Sequence, residues 1–163
     1  MLNRFKARKD QDGFTIIEVL IVLAIAGLIM VVVFLAVPNL QRSQRNSSRK
    51  TDANNVLSAI GDFVSNNGGA LPTAACHDTG CAFMSSVKLG YYSAANSNIT
   101  YTPAPTGTFT SPTTAPTSEQ MFIYAGANCS AGAASAPQPG NSNRQIAIWY
   151  GIEGSVSTQC ISD

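Results

Sequence analysis

Charge is scarce in this chain. Asp, Glu, Lys and Arg make up only 12% of its 163 residues, against about 25% in an ordinary soluble domain. The formal net charge is +1, so no overall field draws the protein to nucleic acid or another polyanion. It has a single histidine and a handful of dispersed carboxylates, thin material for acid–base catalysis. The P-loop, H-E-x-x-H, G-x-S-x-G and Rossmann fingerprints are missing as well. These absences point away from an enzyme, and no cofactor is expected.

What charge there is lies unevenly. Eight of the ten basic residues fall in the first 50 positions, whereas residues 53–163 hold only Lys88 and Arg144 against five acids. Between two basic clusters runs FTIIEVLIVLAIAGLIMVVVFLAV, Phe14 to Val37, with Glu18 its only charge. As a helix it is about 36 Å long, enough for a hydrocarbon core of about 30 Å. Arg4, Lys6, Arg8 and Lys9 precede it, and Arg42, Arg45, Arg49 and Lys50 follow, so the positive-inside count is close to a tie. A secretory signal peptide cut near Ala24-Ile25-Ala26 fits poorly, because apolar residues continue where such a peptide turns polar. A plain anchor leaves Glu18 unexplained, since a carboxylate inside a span needs a partner unless it lies at headgroup level.

The flanking residues read Lys9-Asp10-Gln11-Asp12-Gly13-Phe14-Thr15-Ile16-Ile17-Glu18. This pattern resembles the prepilin signal of type IV pilins and type II secretion pseudopilins: a short basic leader ending in Gly13, then Phe14, a threonine, two aliphatics and Glu18. The resemblance implies cleavage between Gly13 and Phe14 by a prepilin peptidase, N-methylation of Phe14, and a mature chain of 163 − 13 = 150 residues. A glycine at the cut lets a protease approach the backbone closely. In the family, the acid at the place of Glu18 pairs with the terminal amine of a neighbouring subunit. It thereby sets register as subunits enter the filament, because a buried charge tolerates only a correctly placed partner.

The apolar run ends at Pro38, which lacks an N–H and disturbs the preceding turn. Gly27 is a second weak point. In several filaments of the family the segment between a comparable glycine and proline loses helix on assembly; a mild kink is the alternative here. Residues 41–52, QRSQRNSSRKTD, contain no apolar residue and are expected to cross a solvated gap or meet lipid headgroups. Direct nucleic-acid contact by these basic residues is the weaker alternative. Ala53, Val56, Leu57, Ile60, Phe63 and Val64 then recur at helical spacing, and Asn66-Asn67-Gly68-Gly69 suits a left-handed helix cap. The spine is therefore expected to run from Phe14 to about Asn66.

Past Gly69 the pattern turns to strands and polar loops. Expected strands are Val87–Tyr92, Asn98–Pro103, Met121–Ala125 and Gln145–Ile152. Antiparallel strands on one amphipathic helix give an α+β head. Residues 103–117 and 130–143 are rich in Pro, Thr, Ser and Ala and read as exposed loops. Asn46, Asn98 and Asn128 open N-x-[ST] triplets, a weak motif. Cys76, Cys81, Cys129 and Cys160 behind a membrane signal suggest disulfides. Three connectivities exist; Cys76–Cys81 with Cys129–Cys160 is favoured because nearest neighbours close first, and in pilins a carboxy-terminal disulfide commonly bounds the exposed variable region. A metal site from Cys76, His77, Asp78 and Cys81 matches no recognised zinc spacing, and Glu153 with Asp163 forms no calcium loop.

The expected organisation is a leader at 1–13, a membrane and filament-core helix at 14–37, its continuation at 38–68, and a β-rich head at 69–163. By resemblance the protein is a pilin: a homo-oligomeric filament subunit processed by a peptidase and methyltransferase, and extracted by an assembly platform and its ATPase. It would reside in the inner membrane as a prepilin and outside the cell as a filament supporting adhesion, twitching motility or DNA uptake. The alternatives are a secretion pseudopilin and a membrane-tethered binding or enzyme module.

Overall fold

Apolar positions three and four apart after Thr51 form a stripe that must be covered by another layer. The computed structural model describes residues 13–92, 98–105, 109–130, 136–154 and 158–163. In it that stripe packs on a small mixed sheet, an α+β arrangement. The basic leader through Asp12 lies outside the described residues, as do residues 106–108 and 131–135 of the two loops rich in small and hydroxyl side chains. The chain divides into two units, residues 1–40 and 41–163. Helix α1, Ile16–Asn66, contributes to both.

In the first unit the large apolar side chains from Phe14 to Leu40 stand exposed. The best 18-residue window has a mean hydropathy of 3.3 and none of it is buried. By length and composition α1 can cross a membrane. The helix runs through both Gly27 and Pro38. Pro38 has no N–H to offer the Phe34 carbonyl, so one rung of the ladder is absent there.

In the second unit, Ala53, Val56 and Ile60 of α1 are fully buried. They meet the inner face of a sheet made of β1 (Cys76–His77), β2 (Ile99–Thr102), β3 (Met121–Ala125), β6 (Ile146–Gly151) and β7 (Thr158–Ser162), in the order β1-β2-β3-β6-β7. Tyr101, Met121, Ile123, Ile148 and Tyr150 are fully buried sheet partners. Full burial of the Val, Ile and Met side chains among these contributes about 1.5–3 kcal/mol each. The helix stops as its glycines require: Gly68 and Gly69 have φ of 65° and 86°, and the Gly69 N–H reaches back to the Val64 carbonyl at 2.8 Å, a Schellman-type closure.

The sheet departs from a purely antiparallel one. β2 and β3 pair in parallel, Ile99 opposite Met121 through Thr102 opposite Tyr124. A parallel neighbour needs a long crossover, and residues 103–120 supply it. Its end is pinned where the Thr117 carbonyl lies against Gly151, leaving no room there for a β-carbon. The expected strand at Val87–Tyr92 does not form. The N–H groups of Gly90, Tyr91 and Tyr92 bond to the Asp52 carboxylate at 2.7, 2.7 and 3.0 Å, so they are unavailable to a ladder. Residues 130–143 are not wholly loop either. β4 (Ala127–Cys129) pairs with β5 (Pro137–Pro139), and Pro137 is buried. Cys76 joins Cys81, and Cys129 joins Cys160.

Candidate functional site

The start of α1 is built by its own side chains. Thr15 precedes the first helical residue, and Glu18 sits three places on. The Thr15 N–H and hydroxyl both donate to Glu18 Oε2, at 2.9 and 2.7 Å. The Glu18 N–H donates back to Thr15 Oγ1 at 3.3 Å. This is a capping box, in which each partner satisfies donors that a helix start leaves free. The spacing Thr15-x-x-Glu18 is a capping signal legible in the sequence itself. Among the described residues Glu18 Oε1 accepts no hydrogen bond. Phe14 stands just outside the cap and is 88% exposed. Beside it a shallow apolar groove of about 470 Å³ is lined by Phe14, Glu18, Val19, Val22 and Leu23. An acid thus opens a helix whose remaining surface to Val37 is apolar and uncovered.

The family model for the prokaryotic N-terminal methylation motif matches residues 8–34. The chain carries the signal of type IV pilins and pseudopilins. The match begins in the basic leader, includes Gly13, Phe14 and Glu18, and continues through most of the apolar run. In general such a signal implies processing by a prepilin peptidase, anchoring in a membrane, and assembly into a filament as a structural subunit. No curated protein and no solved structure matches the chain.

A second cluster lies in the polar run 41–52, expected to cross a solvated gap or meet lipid headgroups. Residues 41–52 do not stand free of the head: Arg49 and Asp52 are among the most buried side chains in the protein. Arg45 Nε and Nη2 grip the two carboxylate oxygens of Glu153 at 2.8 and 2.6 Å. Arg49 Nη2 adds a bond to Glu153 Oε1 at 2.9 Å. Asn46 pairs with the main chain of the same residue, donating to the Glu153 carbonyl and accepting its N–H, both at 2.9 Å. The Arg49 guanidinium lies 4.0 Å from the centre of the Tyr91 ring and donates to its hydroxyl, and that hydroxyl donates to Glu119 at 2.7 Å. Hydrogen bonds from Arg45 and then Arg49 pull the Glu153 carboxyl down to about 2. Burial pushes the Tyr91 hydroxyl above its usual value.

The remaining sequence candidates are spent on structure. Cys76 and Cys81 are bonded to each other, and the Asp78 carboxylate accepts the Ile99 N–H at 2.9 Å. No set of three or more His, Cys, Asp or Glu side chains fit to hold a metal occurs among the described residues. The Asn46 amide, first residue of an N-x-[ST] triplet, is committed to Glu153 and Arg49.

Proposed function

We propose that this protein is the structural subunit of an extracellular type IV pilus. It waits in the inner membrane, is cut between Gly13 and Phe14, is methylated at the new Phe14 amine, and enters a homo-oligomeric helical filament through an assembly platform and its ATPase. The observation that carries this reading is the half-satisfied Glu18 at the head of an uncovered apolar helix. Thr15 occupies Oε2, and Oε1 remains for the cationic amine of the adjoining subunit. A charge inside an apolar filament core persists only when paired, so this contact selects one stagger between subunits. Apolar faces then exchange lipid for one another. Gly27 and the missing rung at Pro38 are where the helix yields as packing tightens.

The pilus is favoured over a secretion pseudopilus by two disulfides and by Pro- and Thr-rich loops, which suit a surface outside the cell. Direct nucleic-acid contact is disfavoured because Arg45 and Arg49 are both engaged by Glu153. A deletion strain separates the readings. Loss of surface filaments in electron micrographs, restored by the wild-type chain, supports the pilus; intact filaments with lost protein secretion would establish the pseudopilus instead.

A further inference from the structure

Three arginines lie on one face of α1. Arg42, Arg45 and Arg49 follow i, i+3, i+7 spacing, which places them along one side of a helix. Arg45 and Arg49 converge on a single carboxylate, Glu153. Arg42 faces the same residue across an open polar pocket of about 560 Å³ that Thr117 and Ser118 help to line. Positive charge here exceeds what Glu153 neutralises. The other nearby acid, Glu119, is 4.0 Å from Arg49 and its side chain is 59% exposed. Arg49 has no exposed side-chain surface, and its Nε has no partner among the described residues.

Glu153 is held as a ligand is held. Its carboxylate takes Arg45 two-pronged, the geometry that guanidinium groups use for carboxylates and phosphates. Asn46 reads its main-chain N–H and carbonyl together. The residue lies two positions past the end of β6, and Ile152 beside it is only half-buried. The neighbouring segment 90–92 is fastened separately by Asp52.

We propose that the Arg42–Arg45–Arg49 face is an oxyanion-binding site occupied in cis by Glu153, which acts as an internal plug just past the end of β6. Withdrawing the plug leaves a buried arginine that cannot shed its proton. The site then accepts another carboxylate or phosphate, whether from a small molecule or from a second polypeptide. Glu153 thereby determines whether this cationic face is presented or closed. The inference does not depend on whether the filament is a pilus or a pseudopilus.

The test uses the full chain in detergent micelles. Glu153→Ala removes the plug, and isothermal titration is performed with inorganic phosphate and with a blocked Gly-Ile-Glu-Gly peptide. Binding by E153A at least about tenfold tighter than by wild type, abolished when Arg45→Ala and Arg49→Ala are added, supports the site. Phosphate alone binding identifies a small-oxyanion site, and peptide binding tighter than phosphate identifies a polypeptide site read partly by Asn46. Hydrogen exchange is expected to rise at residues 152–154 while residues 90–92 keep their protection. If E153A does not fold, the isosteric Glu153→Gln variant carries the same titrations. A folded variant that binds neither probe overturns the proposal and leaves Glu153 as an ordinary structural ion pair.

Discussion

Thr15 and Glu18 hold each other at the first turn of α1: the threonine hydroxyl reaches Glu18 Oε2 at 2.7 Å while the Glu18 N–H returns to the same hydroxyl at 3.3 Å. The acid is therefore aimed at the helix start before any neighbour arrives. Glu18→Ala is expected to leave leader removal intact and to lower filament yield by more than about tenfold, since an amine entering the core would lose its counter-charge. Thr15→Val keeps the acid and its 2.9 Å bond from the residue 15 N–H but removes both bonds of the hydroxyl, so the carboxylate is held less firmly and the variant should give an intermediate yield. Immunoblots of sheared filaments against total cell protein measure both. Normal yield from Glu18→Ala would contradict the register role.

The Glu153 carboxyl is lowered from 4.5 to about 2 by its arginines. A group whose folded value is depressed contributes stability that is complete above its unfolded value and is lost as pH falls toward its folded one. Thermal unfolding of wild type should thus be insensitive to this group above about pH 5 and should weaken between about pH 4.5 and 2. Glu153→Gln should be less stable at neutral pH and should show a shallower decline over that acid window. Circular dichroism melts across the range read both slopes; parallel curves would count against the clamp.

Gly69 meets two demands at once. Its φ is 86°, and the Arg144 guanidinium occupies the space a β-carbon would fill. α1 has no basic residue in its last turn, so Arg144 brings from the segment before β6 the positive charge that favours a helix C-terminus. Gly69→Ala should cost at least about 1–2 kcal/mol from the left-handed backbone alone, with a further loss from displacing Arg144. Gly68→Ala, with φ of 65° but open space around it, should show the backbone part only. Denaturant unfolding that gives equal losses would remove Arg144 from the explanation.

Much of this was legible beforehand because it is periodic or local. The apolar stripe from Ala53 to Val64, the glycine cap, and the strands at Ile99, Met121 and Ile146 all announce themselves within a few residues. The polar run at 41–52 misled because composition equates polarity with solvent, whereas Arg45, Asn46 and Arg49 are buried or half-buried by partners more than 100 positions away. The segment 87–92 has strand-like residues, but Asp52 takes its N–H groups. β5 contains two prolines, and β7 reads TQCIS, with little apolar signal of its own. The parallel pairing of β2 with β3 depends on the path of the crossover, which no short window encodes. At the helix start the capping pair Thr15 and Glu18 is local and legible, but a lone charge in a long apolar run is the stronger signal and points to a partner outside the chain.

Processing is the step on which the filament account stands. Gly13→Val should block it, because a branched side chain obstructs the close backbone approach that glycine permits. The most direct measurement is intact mass and amino-terminal sequence of the wild-type chain in filaments sheared from cells. The account predicts a polypeptide beginning at a methylated Phe14 and 150 residues long, 13 fewer than the 163 encoded. Filaments lacking this polypeptide, or carrying it with Met1 to Gly13 still attached, would contradict it.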